Sequence, residues 1–142
     1  MTFEIRVATT EAELKSCYPV MAELRPHLSL DEFIAMATRL RETTGLSIAY
    51  LAENACVACV AGFRVSEWLA GGWYLEIEDL VTHSNARSKG HGGVMFDWLM
   101  QFAREAKCKQ VRLVSNVRRI DARRFYERKG MTREAYYFSI NV

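Results

Sequence analysis

Between Glu78 and Gly93 the chain reads Glu-Asp-Leu-Val-Thr-His-Ser-Asn-Ala-Arg-Ser-Lys-Gly-His-Gly-Gly. The residue types and their spacing suit the holding of an anion. An apolar stretch ends at Thr82, a polar loop follows, and Arg87-x-x-Gly90-x-Gly92 opens an amphipathic segment. Glycines let the backbone approach a ligand closely, and the first N–H groups of a helix have no intrahelical partner. Those donors and the helix dipole together favour a negative group, typically phosphate. Arg87 and Lys89 add positive charge at the same mouth. The pattern is not a P-loop, since no Gly-x-x-x-x-Gly-Lys-Ser/Thr occurs. It is not the dinucleotide fingerprint either, because Met95 stands where a third glycine is needed.

Other residues offer chemistry with a plainer alternative beside each. Glu76 and Glu78 alternate on one strand face. Either suits a general base; either also suits a simple ion pair. Tyr126 follows Phe125 and can pack beside it. His27 and His83 are isolated, so no metal site is expected, and His91 reads as an incidental loop histidine. Cys17, Cys56, Cys59 and Cys108 are scattered in apolar contexts. Cys56 and Cys59 form a C-x-x-C, but inside a strand residues three apart point to opposite faces, so they read as core thiols. Trp68, Trp73 and Tyr74 flank a Gly-Gly pair, where they suit an acceptor pocket or core packing equally. Arg118, Arg119, Arg123 and Arg124 make a basic cluster, either an anion contact or a solvated face.

The elements that must position these groups follow from period and punctuation. Phe3–Thr9 predicts a strand. Thr10 with Glu13 predicts a capped helix ending before Pro26, with Ala12, Leu14, Tyr18 and Met21 or Ala22 inward. Ser29 with Glu32 predicts a second capped helix, stopped by Gly45. Leu46–Ala52 and Ala55–Val65 read as strands about a turn at Glu53-Asn54, a hairpin central to a sheet. Trp73–Thr82 is a further strand, Gly90–Lys107 a helix and Gln110–Ser115 a short strand. Asp121 is expected to cap a helix to Lys129, with Ile120 and Phe125 as a hydrophobic staple. Ala135–Val142 is expected as a final strand. The order predicts one mixed α/β domain over 1–142, without repeats or linkers.

The whole chain of 142 residues is half apolar and a quarter charged. That composition argues against disorder and against a disulfide-dense scaffold. No apolar run approaches the ~20 residues of a membrane span. Met1–Val7 carries Glu4 and Arg6, which argues against a signal peptide. A cytoplasmic location without membrane association is the expectation. Net charge is +2, yet residues 87–133 carry 13 Lys/Arg against 4 Asp/Glu, and the remainder carries 6 against 13. One half thus suits an anion and the other a cation. No nucleic-acid motif is present and the overall charge is near neutral, so nucleic acid is not the expected partner.

Arg87-Ser88-Lys89-Gly90-His91-Gly92 resembles the Gln/Arg-x-x-Gly-x-Gly/Ala signature of the GCN5-related N-acetyltransferases. Ser115-Asn116 and Ala122-Arg-Arg-Phe125-Tyr126-Glu-Arg-Lys-Gly130-Met131 resemble that family's Asn … Ala-x-x-Phe-Tyr-x-x-x-Gly-Phe segment. The likeness spans the whole element order. It implies a mostly antiparallel central sheet with a splayed strand pair holding the cofactor, and helices on both faces. It implies acetyl-CoA as co-substrate, with its pyrophosphate on Arg87, Ser88, Lys89, Gly90, His91, Gly92 and Gly93. The pantetheine would lie along the backbone of Leu80, Val81 and Thr82, and Asn116 would touch that arm or the CoA end. Tyr126 would be the general acid, and Glu78, or else Glu76, the base for an amine acceptor. A homodimer is open, and the alternative reading is a non-catalytic CoA-binding or interaction module.

Overall fold

Capping chemistry sets where the first two helices begin. A computed structural model describes residues 3–142, so Met1 and Thr2 of the N-terminal stretch lie outside the described residues. After strand β1 (Phe3–Val7), helix α1 (Glu11–Leu24) starts at Thr10, whose Oγ1 accepts from the Glu13 N–H at 3.1 Å. The Glu13 carboxylate reaches back to the Thr9 N–H, also at 3.1 Å. Helix α2 (Leu30–Thr44) has a full capping box from Ser29 and Glu32 and stops at Gly45. Pro19 lies inside α1, and the buried face is Cys17, Val20 and Met21. Leu14 and Tyr18 pack at its edge, whereas Ala12, expected inward, is exposed.

Strands β2 (Ser47–Glu53), β3 (Cys56–Trp68) and β4 (Gly72–Thr82) follow, then helix α3 (His91–Glu105), strand β5 (Gln110–Leu113) and helix α4 (Ile120–Arg128). The β2–β3 turn is Asn54-Ala55, one residue later than expected, with both φ angles left-handed at 52° and 65°. That handedness matches the twist of a two-residue hairpin. The sheet order is β1-β2-β3-β4-β5, and the first three pairings are antiparallel. Lys109 N–H donates to the Trp73 carbonyl at 2.8 Å, and Arg112 Nε donates to Glu76 Oε1 at 2.7 Å. Residue numbers rise together along the two strands, so β5 runs parallel to β4 and the sheet is mixed. β5 is only four residues long, while β4 continues to Thr82.

Residues Ala58–Phe63 of β3 are buried on both faces, as a covered strand requires. On one side Val60 joins Cys17, Val20, Phe33 and Ala37 of α1 and α2. On the other, Phe63 packs edge-on against Trp98 and Phe102 of α3, with centroids at 5.9 and 5.0 Å. Helices therefore cover both faces. None of the helices of the described residues is long and apolar enough to cross a membrane.

The chain divides into two compact units, one reaching to Arg112 and one comprising Leu113–Val142. Two expectations for the smaller unit fail. α4 begins two residues early, with Arg119 rather than Asp121 at the cap position and Asp121 in the first turn. The Asn116 side chain accepts from Arg118 N–H, and its carbonyl accepts from Arg119 N–H. That turn feeds the helix before Asp121 can cap it, so Ile120 is its first residue and no staple precedes the cap. Ala135–Val142 forms no strand. Tyr, Phe, Ile and Val favour a half-buried pleated surface, but a strand exists only as part of a ladder, and no ladder pairs with these residues.

Candidate active site

The segment between β4 and α3 is held at several points. His83 N–H donates to the Ala58 carbonyl at 2.7 Å, and one 3₁₀ turn, Ser84–Ala86, follows. Ser88 and Gly90 are both left-handed, with φ of 65° and 83°. Gly90 stands at the cap position of α3, and no side chain caps that helix. A Cβ at Gly90 would meet nothing within 4 Å, so glycine is required there by φ rather than by space. α1 and α2 spend their first amides on Thr10 and Ser29; α3 keeps its own free of side-chain caps. Such an N-terminus is a donor cluster with a positive dipole end.

Glu23, on α1, organises the same segment and has no sequence signal near it. Both its oxygens accept from the Ser84 N–H at 3.1 Å, Arg87 Nη2 donates to Oε1 at 3.3 Å, and His83 Nε2 lies 3.7 Å from Oε2. Arg87 Nε also donates to the Thr82 carbonyl at 3.4 Å. The Arg87 guanidinium is thus a tie within the loop, although its side chain is still 61% exposed. His91 is not an incidental loop residue. It is buried, with Nε2 at 2.6 Å from Glu53 Oε2 and Nδ1 at 3.2 Å from the Ala86 carbonyl.

Glu76, Glu78 and Asp79 sit where the β3–β4 register slips. Gly62 pairs with Asp79 and Phe63 with Ile77, which leaves Glu78 as the extra residue of a bulge. Each carboxylate faces an arginine. Arg112 Nε donates to Glu76, and the Arg112 guanidinium lies over Trp68 and Tyr74 at 4.2 and 3.8 Å. Trp68 and buried Tyr74 therefore form a stack around Arg112, and both Trp68 and Trp73 are exposed. Arg25 Nε donates to Asp79 Oδ1 at 2.8 Å, and its Nη2 donates to the Glu78 carbonyl at 3.2 Å. A Cβ at Gly62 would collide with the Asp79 carboxylate, which explains a glycine within β3.

Glu78 differs from its neighbours. Its Oε2 is 2.9 Å from Arg64 Nε in an ion pair whose Nε–H is not aligned as a hydrogen bond. Burial pushes the Glu78 carboxyl above the usual range. The Arg64 charge opposes this, and the nearby charges of Asp79 and Glu76 add to it. A carboxylate whose proton affinity is raised is the better proton acceptor.

Asn116 and Tyr126 belong to the smaller unit. The Asn116 carboxamide oxygen accepts from Arg118 N–H at 2.9 Å. Tyr126 lies on α4, its ring packed edge-on to Phe125 at 5.3 Å. Of the basic cluster, Arg123 Nε lies 3.8 Å from Glu127 across one helical turn. None of the four cysteines is disulfide-bonded. Cys56 is exposed and Cys59 buried, and burial pushes the thiols of Cys17 and Cys59 up to about 12 and about 11.

Comparison with known proteins accords with this geometry. The model of the acetyltransferase (GNAT) family matches residues 7–131. The chain is 33% identical over 131 residues to the uncharacterized N-acetyltransferase YhdJ of Bacillus subtilis, covering 92% of both chains. It is 28% identical over 138 residues to an aminoalkylphosphonate N-acetyltransferase of Salmonella typhimurium, covering 96% of this chain and 89% of that one. In fold it is similar to an aminoglycoside N-acetyltransferase, AAC(6')-Iy, solved in complex with CoA. That match has a TM-score of 0.85 at 12% identity and covers 99% of this chain and 95% of that chain. The Arg-x-x-Gly-x-Gly helix start, the mixed sheet and the matched length together place this chain in the GNAT family, as an acetyltransferase.

Proposed function

We propose that the chain, acting as one domain over residues 1–142, moves an acetyl group from acetyl-CoA to a primary amine by direct attack in a ternary complex. The observation that carries this is the start of α3: left-handed Gly90, no side-chain cap, and Arg87 and Lys89 alongside. Backbone amides from His91 to Gly93 and the helix dipole would hold the CoA pyrophosphate. Ser88 and Gly90 let the chain turn close to it. The backbone of Leu80, Val81 and Thr82, which lies past the end of short β5, would pair with the pantetheine arm, and Asn116 would contact that arm.

The incoming amine must lose a proton to attack the thioester carbon. Glu78, directly or through a water, takes that proton; its raised carboxyl and loosely aligned ion pair support it over Glu76. The new C–N bond forms, the C–S bond breaks, and the departing sulfur takes a proton from the Tyr126 hydroxyl. A thiol's pKa is about 8.5, so a thiolate already leaves fairly well near neutrality, and the acid is worth the low end of about 10²–10⁴-fold. The named relatives are N-acetyltransferases, of an aminoalkylphosphonate and of aminoglycosides, which supports a small amine as acceptor.

A thiol-release screen of amines with acetyl-CoA tests the reading. At least one small amine should release CoA, and Tyr126→Phe should lower kcat at least about tenfold with little change in donor affinity or Tm. If the chain binds acetyl-CoA and acetylates no amine, a CoA-binding module without catalysis replaces the enzyme reading.

A further inference from the structure

His91 is the buried polar residue of the described chain, with 5% of its surface exposed, and it is the first residue of α3. Burying a polar ring costs free energy unless its nitrogens find partners. Its partners account for the position. Nδ1 lies 3.2 Å from the Ala86 carbonyl and Nε2 lies 2.6 Å from the carboxylate of Glu53, the last residue of β2. One such partner faces each ring nitrogen. The Glu53 contact anchors the ring to the sheet.

The two contacts bracket a strained segment. Ala86 ends the 3₁₀ turn and His91 opens α3, so the Nδ1–Ala86 bond closes a loop over Arg87, Ser88, Lys89 and Gly90. Within it Ser88 is a non-glycine residue at φ 65°. A left-handed serine persists only where its surroundings over-determine it. The Nδ1–Ala86 contact ties together the residues on either side of this segment, and Glu53 holds the ring.

We infer that Glu53 and His91 form a positioning pair that pre-organises the Arg87–Gly90 loop, and hence the amides of the α3 start, for the acyl donor. This rests on the donor-binding reading above. Neither residue touches the reacting atoms, so the pair acts on donor binding and leaves the chemical step alone.

The test uses the full chain with Glu53→Ala, Glu53→Gln, His91→Leu and the Glu53→Ala/His91→Leu double variant. Loss of a hydrogen bond to a charged group should raise the acetyl-CoA Kd and KM about tenfold, with kcat little changed. Glu53→Gln keeps an acceptor at Nε2 and should recover most of the affinity. The double variant should be no worse than the poorer single, because each single already breaks the pair. Amide hydrogen exchange at residues 87–93, measured without any ligand, should speed up in Glu53→Ala and stay near wild type in Glu53→Gln. Unchanged exchange overturns the pair, and so do additive single effects or a fall in kcat at constant KM. If wild type binds no acetyl-CoA, the donor reading fails, while the exchange data still decide whether the pair holds the loop. Should His91→Leu not fold, the two Glu53 variants carry the same comparison.

Discussion

Glu76 Oε1 accepts a hydrogen bond from Arg112 Nε at 2.7 Å, and the guanidinium so held is stacked on Trp68 and Tyr74. One of the two carboxylates offered as the base is therefore built into a cross-strand support. Glu76→Ala should leave Arg112 without its acceptor and cost about 2 kcal/mol, a fall of roughly 6 °C in Tm, while the pH profile of kcat keeps its shape. Glu78→Gln should do the opposite. The Tm should hardly move, turnover near neutrality should drop by about 10²-fold, and activity should return as rising pH frees the amine. Thermal melts and pH–rate profiles of the two variants separate the roles; identical profiles would remove Glu78 as the base.

The glycines of the helix start make different predictions. Gly90 has open space around its α-carbon and a φ of 83°. Gly90→Ala should therefore cost about 1–2 kcal/mol of backbone strain without any clash, and it should weaken acetyl-CoA binding. Gly92→Val should keep a native circular dichroism spectrum and lose acetyl-CoA affinity strongly, because its side chain would crowd the pyrophosphate. Calorimetry with acetyl-CoA checks both, and native affinity in Gly92→Val would move the phosphate site elsewhere.

Acid stability should report on a latch between α1 and β2. Tyr50 donates to Glu13 Oε2 at 2.6 Å, and this bond with those from Thr9 and Thr10 lowers the Glu13 carboxyl to about 2. A carboxyl lowered in the fold stabilises it while ionised, so the contribution is complete above about pH 4.5 and is lost as pH falls toward 2. Denaturation followed from pH 6 to pH 2 should show a shallower acid limb in Glu13→Gln. The same slope in both proteins would mean that the latch contributes nothing to stability.

Thiol reactivity should follow burial. The thiolate is the reactive form, and the thiols of Cys17 and Cys59 are buried with strongly raised pKa values. Iodoacetamide should label exposed Cys56 in the native protein and reach Cys17 and Cys59 only after denaturation. Mass spectrometry of a labelling time course reads this directly; early labelling of Cys59 would show that β3 opens locally.

The sequence by itself determined whatever depends on neighbours along the chain. Thr10 with Glu13 and Ser29 with Glu32 mark helix starts because a cap bonds amides two or three residues ahead. Arg87-x-x-Gly90-x-Gly92 marks the start of α3 because a strand end, a polar loop and a glycine before an apolar helical period lie within a dozen residues. Tertiary structure alone decided what depends on distant partners. Glu23 lies 61 residues before Ser84, and Glu53 lies 38 residues before His91, yet both brace the same loop. The bulge at Glu78 arises from its register against Gly62 and Phe63, so the difference between Glu76 and Glu78 cannot be read from their alternation. Ala135–Val142 shows the converse limit. Its residues prefer a strand, but backbone hydrogen bonds of a strand need a partner that local preference cannot supply.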